Sequence, residues 1–310
     1  MKPKLLIVLG PTAVGKSELA IELAATIDGE IINADSQQVY RYLDIGTGKP
    51  SRADRERVRH HLIDIVNPDE EFNAAMFRRL ATESTEQIHG RKKNVIVCGG
   101  TGLYLKALTQ GLFEGPGQDE EIRRSLEQQI EKEGQASLYR RLLQIDPRVE
   151  STIHPNDRQR IIRALEVYQL TGKPLSAWQR EHAFREQPFE VLKIGLNRPR
   201  GELYDRINRR SERMVEDGLL EEVRGLMAKG YSLALKPLCS VGYRQMGQVL
   251  QGRQELLAAI EEMKQETRRL AKRQLTWFHG DKEIRWFDPK QRIEITEEVK
   301  TFFSRQGSSC

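Results

Sequence analysis

Eight residues near the start of the chain, Gly10-Pro11-Thr12-Ala13-Val14-Gly15-Lys16-Ser17, fit the pattern G-x-x-x-x-G-K-[ST]. The glycines let backbone N–H groups turn inward, and a helix opening at Lys16 would add its positive end, so the segment forms a cradle for a diphosphate. Lys16 would reach the terminal phosphate, and the Ser17 hydroxyl would ligate Mg2+. The plainer alternative is a tight strand-to-helix turn. A second candidate is the carboxylate of Asp35, which follows an apolar run and opens Asp35-Ser36-Gln37-Gln38. In an open parallel sheet it would lie at the ligand crevice; it could equally cap the next helix. A third apolar run, 94–98, leads into Gly99-Gly100-Thr101-Gly102, where an ATP-hydrolysing enzyme usually carries an acid that supports Mg2+ and water. Glycines in that place predict phosphate binding without ATP hydrolysis.

Cations gather later in the chain. Residues 1–150 hold 21 Lys+Arg against 23 Asp+Glu, whereas 151–310 hold 29 against 22, so the excess lies in the second half. That asymmetry points to a polyanionic partner there and a separate chemistry in the first half. Six arginines fall between 198 and 213, diluted by three acidic residues. Arg160 and Arg163 are three apart on an expected helix and so neighbours on its surface. Ile260, Met263, Thr267, Leu270 and Trp277 recur at helical spacing and form an expected core face. Lys264, Arg268, Arg269, Lys272 and Arg273 fall opposite, as solvent surface or as a track for a nucleic-acid backbone.

The elements that must position these groups follow from the hydrophobic pattern. Apolar runs at 4–9, 30–34, 94–98 and 191–196 read as strands, with a helical pattern through Leu19, Leu23 and Ile27 after the first. Residues 113–117 are turn-rich, and 119–185 are almost all helical in pattern. The chain is therefore expected to be α/β: a P-loop NTPase-like parallel sheet core built from 1–113 and 191–310, with an all-helical domain inserted at 114–190. The 310 residues, 38% hydrophobic and 31% charged, fit a globular protein of about two domains. No run approaches the roughly 20 apolar residues of a membrane span, so the expected location is cytoplasmic. Cys98, Cys239 and Cys310 include no C-x-x-C pair, which leaves no zinc ribbon or disulfide framework to draw. The adjacent His60 and His61 are expected to serve surface or packing, and the tail at 307–310 to be loose.

Seven motifs in order resemble bacterial tRNA dimethylallyltransferases, the IPP transferase family: G-P-T-A-V-G-K-S at 10–17, D-S-Q-Q-V-Y at 35–40, G-T-G-K-P at 46–50, H-H-L-I-D at 60–64, G-G-T-G-L-Y at 99–104, Q-R-I-I-R at 159–163 and T-R-R-L-A-K-R-Q at 267–274. Gly48 departs from the pattern, since the family more often has alanine there. The resemblance implies transfer of a dimethylallyl group from dimethylallyl diphosphate to N6 of the adenosine 3′ of the anticodon, with diphosphate leaving and Mg2+ as cofactor. It implies Asp35 as general base, Thr101 as the residue orienting amine and diphosphate, and Arg206 as diphosphate support. Contacts to the anticodon stem-loop would come from Ser36, Gln37 and Gln38, from Arg123, Gln159, Arg160, Ile161, Ile162 and Arg163 in the insertion, and from Arg268, Arg269, Lys272 and Arg273. The partners expected are tRNA and the allylic diphosphate, with no membrane, and a monomeric state. A small-molecule kinase with the same phosphate loop is the alternative.

Overall fold

The structure is a computed structural model that describes residues 2–112, 115–182 and 187–304. Phe113, Glu114 and Arg185, at the expected turn and helical end, and the tail at 307–310 lie outside the described residues.

Six strands, β1 (Lys4–Leu9), β2 (Gly29–Asn33), β3 (His60–His61), β4 (Asn94–Gly99), β5 (Glu190–Leu196) and β6 (Arg285–Phe287), form one sheet in the order β3-β2-β4-β1-β5-β6. All neighbours pair in parallel, with β1 between β4 and β5. The four longer strands coincide with the apolar runs to within a residue. A strand covered on both faces has no polar side, and β1 shows why: Leu5, Ile7 and Leu9 enter one core cluster, Leu6 and Val8 the other, all at most 2% exposed. At roughly 1.5–3 kcal/mol per buried side chain, these five residues contribute on the order of 10 kcal/mol. They make β1 the fixed frame from which the phosphate loop leaves.

Helices connect the strands: α1 (Lys16–Thr26), α2 (Arg52–Arg57), α3 (Ala74–Gly90) and α4 (Gly102–Gln110) in the first half, then four in the inserted segment, α5 (Glu120–Glu133), α6 (Gln135–Ile145), α7 (Arg158–Thr171) and α8 (Leu175–His182). After β5 come α9 (Arg200–Glu216), α10 (Leu219–Ala228), α11 (Tyr243–Leu250), α12 (Leu256–His279) and α13 (Arg292–Ser304). The chain leaves β1 toward one edge of the sheet and leaves β4 toward the other, and such a reversal opens a crevice at the carboxyl ends of the strands.

Two compact units result, residues 1–109 with 187–310, and residues 110–186. The sequence placed these breaks at 113/114 and 190/191. Residues 187–190 go with the sheet because Glu190 N–H donates to Pro3 O at 2.9 Å and begins the β5 ladder. The helical unit has its own core, with Leu126, Leu138, Leu142, Ile161 and Leu165 each at most 1% exposed. α7 starts where Asp157 Oδ1 accepts the Arg160 N–H at 3.1 Å, and it stops at Gly172, whose φ of 69° closes the helix in the left-handed region.

His60 and His61 serve packing, as an edge strand against β2, with His61 Nε2 2.7 Å from the buried Glu30 carboxylate. Two expectations are corrected. Lys264 is not on a solvent face: it is 9% exposed and paired with Glu212 and Glu261 at 2.6 Å. Trp277 is not core but 44% exposed, and the buried stripe of α12 runs through Ala259, Met263, Ala271 and Phe278 instead. Near its end the helix reaches the rim of the sheet unit, where Trp277 lies over Gly102 rather than inside.

Candidate active site

The phosphate loop is held as its composition requires. Gly10 takes φ 144°, and a Cβ there would stand 2.6 Å from Leu196 O; Gly15 takes φ 111° as the residue before α1. No side chain caps α1, so the N–H groups of its first turn stay available to an anion. The loop's carbonyls are occupied from behind: Arg198 Nε donates to Val14 O at 3.0 Å, Arg206 Nε to Ala13 O at 2.9 Å, and Lys16 Nζ to Pro11 O at 2.7 Å. Thr12 N–H is taken by Gln274 Oε1 and Val14 N–H turns back to Pro11 O, so the N–H groups of Ala13, Gly15, Lys16 and Ser17 are the ones left open among the described residues. Ser17 is exposed, and its hydroxyl makes no hydrogen bond among the described residues.

Asp35 follows β2 and lines the same cavity as Thr12, Lys16, Ser17, Gln38 and Arg210. Its Oδ1 accepts the N–H of Gln37 at 2.8 Å and, at 3.4 Å, that of Gln38; these belong to a turn at 36–39 and no helix begins between β2 and α2, so the expected helix cap is a turn cap made by one oxygen. The other oxygen makes no hydrogen bond among the described residues and remains a proton acceptor. Thr101 Oγ1 accepts the Ser36 N–H at 3.0 Å, and Thr101 N–H donates to Ala34 O at 3.3 Å, which ties the end of β4 to the Asp35 turn. Desolvation lowers the Lys16 ammonium to about 8, against the pull of the Asp35 carboxylate and helped by Arg210. The Cys98 thiol, pushed up to about 11 mainly by burial, stays neutral.

Sequence reasoning missed several of the groups that complete the cavity. The Gln274 amide bridges two loops: its Oε1 accepts Thr12 N–H at 2.9 Å and its Nε2 donates to Gly100 O at 3.1 Å. The signal was present, since Gln274 closes the motif at 267–274, but no chemistry singled it out. Arg209, Arg210 and Arg213 join Arg206, Lys16 and Ser17 around a cavity of about 550 Å³. None of these four arginines has a carboxylate within 4.0 Å among the described residues. Gly48 takes φ 59°, and a Cβ there would fall 2.0 Å from Arg210 Nη2; glycine at this position makes room for the guanidinium.

The expected RNA contacts are placed differently. Ile161 and Ile162 pack in the core of the helical unit, 0% and 6% exposed, and present no surface. Arg123 and Arg163 both donate to the fully buried Glu166, at 2.8 and 2.7 Å, and Arg163 also reaches Pro116 O and Gly117 O. Those bonds outweigh desolvation and hold the Glu166 carboxyl below its usual range. Gln159 and Arg160 are exposed, with Arg160 3.3 Å from Asp157. On α12, Arg268 donates to Asn208 Oδ1 at 2.6 Å and Arg269 pairs with Glu266 at 2.6 Å, while Lys272 and Arg273 are exposed.

Residues 38–281 match the sequence profile of the IPP transferase family. The chain belongs to this family. A tRNA dimethylallyltransferase 2 from Syntrophus aciditrophicus is 53% identical over 95% of this chain and 94% of its own, and a tRNA dimethylallyltransferase from Geobacter metallireducens is 53% identical over 97% and 98%. The crystal structure of the full-length tRNA isopentenylpyrophosphate transferase of Bacillus halodurans, 40% identical, superposes with a TM-score of 0.72 over 97% of each chain. A eukaryotic dimethylallyltransferase captured acting on tRNA, 30% identical, gives 0.76 over 96% of this chain and 77% of that one. Together with the six parallel strands and the loop after β1, these IPP transferase relatives establish a P-loop NTPase-like fold. No helix of the described residues is long and apolar enough to cross a membrane.

Proposed function

We propose that this IPP transferase moves a dimethylallyl group from dimethylallyl diphosphate to N6 of the adenosine 3′-adjacent to the anticodon in tRNA. The observation that carries the reading is one cavity that joins a phosphate loop to a carboxylate with a free oxygen, Lys16 and Ser17 facing Asp35. An ATP-using kinase of this fold would be expected to carry an acid at the end of β4 to support Mg2+, and here that strand ends in glycines.

The bond from the allylic carbon to the diphosphate oxygen breaks as the bond from N6 to that carbon forms. Negative charge grows on the leaving diphosphate, and Lys16, the free N–H groups of the loop and the uncompensated Arg206 and Arg210 stabilise it. The N6 amine sheds a proton as it becomes alkylated, and Asp35 takes it through its free oxygen. Ser17, exposed at the start of α1 with its hydroxyl unbonded among the described residues, would hold Mg2+. When bound, the ion supplies charge neutralisation at the diphosphate.

The adenosine must leave its stack to enter, at a cost of a few kcal/mol. We assign that cost to contacts of the anticodon stem-loop with Gln159 and Arg160 of the helical unit and with Lys272 and Arg273. We also infer a cytoplasmic, monomeric enzyme.

The test is mass spectrometry of tRNA nucleosides after incubation with protein, Mg2+ and dimethylallyl diphosphate, followed by single-turnover rates for Asp35→Asn. Asparagine keeps the oxygen that caps Gln37 and Gln38 but cannot take a proton. Transfer at saturating substrates is expected to fall by roughly 10² to 10⁴. A variant within about threefold of wild type would reduce Asp35 to its cap.

A further inference from the structure

The turn at residues 44–48 serves the site through its carbonyls. Thr47 O and Gly48 O accept the Gln38 side-chain amide at 3.1 and 3.2 Å, and Thr47 O also accepts Arg210 Nη2 at 3.4 Å. The turn thereby aims two polar side chains of the cavity that holds Lys16 and Asp35. The guanidinium lies directly against the turn, since a Cβ on Gly48 would fall 2.0 Å from Arg210 Nη2.

The turn is held by residues far along the chain. One carboxylate of α10, Glu222, accepts the N–H of Asp44 at 3.1 Å, of Ile45 at 2.7 Å and of Gly46 at 3.2 Å. The hydroxyl of Tyr243, at the start of α11, donates to the same carboxylate at 2.6 Å. Three successive backbone donors form an anion nest, and here the anion is the protein's own. Bonds to an ionised acceptor are roughly twice as strong as neutral ones. Tyr243 is fully buried, and its ring stands 2.5 Å from where a Cβ of Gly46 would be, so the ring is fitted against the turn. Lys49 secures the end of the same segment through Tyr40 O at 2.6 Å and Asp44 at 2.7 Å.

We infer that Glu222 and Tyr243 are positioning residues of the transfer reaction: they fix residues 44–48 so that Arg210 and Gln38 keep their places in the cavity. Neither touches substrate. The inference rests on the transfer reading in one respect, that Arg210 is a cation for the diphosphate.

A double-mutant cycle on steady-state transfer tests it, using Glu222→Gln, Arg210→Ala and the two combined. Glu222→Gln keeps the size of the side chain but turns an NH2 toward backbone donors. It is expected to lower kcat/KM for dimethylallyl diphosphate by about tenfold and to leave KM for tRNA within about twofold. Loss of folded protein alone would instead scale the rate with both substrates alike. Arg210→Ala is expected to cost more, and adding Glu222→Gln to it should cost less than a further factor of about two, because the two act as a unit. Effects that multiply, or a change confined to tRNA KM, would overturn the inference. If Glu222→Gln does not fold, Tyr243→Phe replaces it; it removes one of four bonds and should cost about threefold with the same non-additivity. If the wild-type protein makes no modified adenosine, the transfer reading fails, and the same cycle is then read on inorganic pyrophosphate affinity by calorimetry, where additivity again overturns the positioning role.

Discussion

Arginines do opposite work in the two units. Around the phosphate loop, Arg206 and Arg210 donate to main-chain carbonyls, Ala13 O and Thr47 O, and neither has a carboxylate within 4.0 Å among the described residues. In the helical unit, Arg123 and Arg163 meet on a carboxylate that is fully buried. A guanidinium on a carbonyl is oriented but keeps its charge for a ligand. One on a carboxylate has spent its charge on the fold. Counting arginines in a sequence therefore overstates the surface offered to RNA, and the distinction is open to direct attack.

The largest effect is expected where compensation is removed. Glu166→Ala would leave two guanidinium groups and the Asp119 N–H without their acceptor, and breaking a buried pair costs about 3–5 kcal/mol. Chemical denaturation should show that loss while pyrophosphate affinity stays within about twofold; unchanged stability would show that the pairs are ornamental. Next comes Arg206→Ala, which should lower kcat/KM for dimethylallyl diphosphate by on the order of 10²-fold with little change in stability. A falling melting temperature with intact kinetics would move Arg206 into the framework class.

Smaller still is Arg160→Glu. Arg160 is the exposed arginine of the α7 pair, so its reversal should weaken tRNA several-fold and reduce the slope of log affinity against log salt by about 1. An unchanged slope would take this face out of the RNA footprint. Reversing Arg163 would not be a clean test, since it breaks the Glu166 cluster. The mildest effect is a pH dependence. Lys16 sits near 8, below its ordinary value, so its charge is present below that pH and lost as the pH rises through it. Pyrophosphate affinity should weaken from pH 7 to 9 by a few-fold more in wild type than in Lys16→Arg, measured by calorimetry; parallel curves would contradict it.

Legibility in the sequence tracked how local the cause was. The phosphate loop carries its own glycines, lysine and serine in eight residues, and the four long strands are mainly apolar because both of their faces are covered, with Glu30 and Lys193 as buried, ion-paired exceptions. The edge strands β3 and β6 are two and three residues long and include His60, His61 and Arg285, so no pattern could establish itself. Gln274 reaches Thr12 across 262 positions, and Glu222 reaches Asp44 across 178. Partnerships of that span are created by the fold and leave no spacing to read. Trp277 was misplaced for a related reason: periodicity reports which side of a helix is apolar, but not where along its length the core ends.

The order of strands also sets a timetable for synthesis. β1 is the first strand to be made, but its partners come late: Leu5 pairs with Val95 on one side and Val191 on the other. After β4 has been made, the ribosome adds all of residues 100–189 before β5 exists, roughly 5–20 s at ordinary elongation rates of about 5–20 residues per second. Throughout that interval the most apolar strand of the protein has one open edge, the arrangement most apt to pair with another chain. A helical unit with its own core, emerging in the gap, gives the nascent chain something to fold while that edge waits.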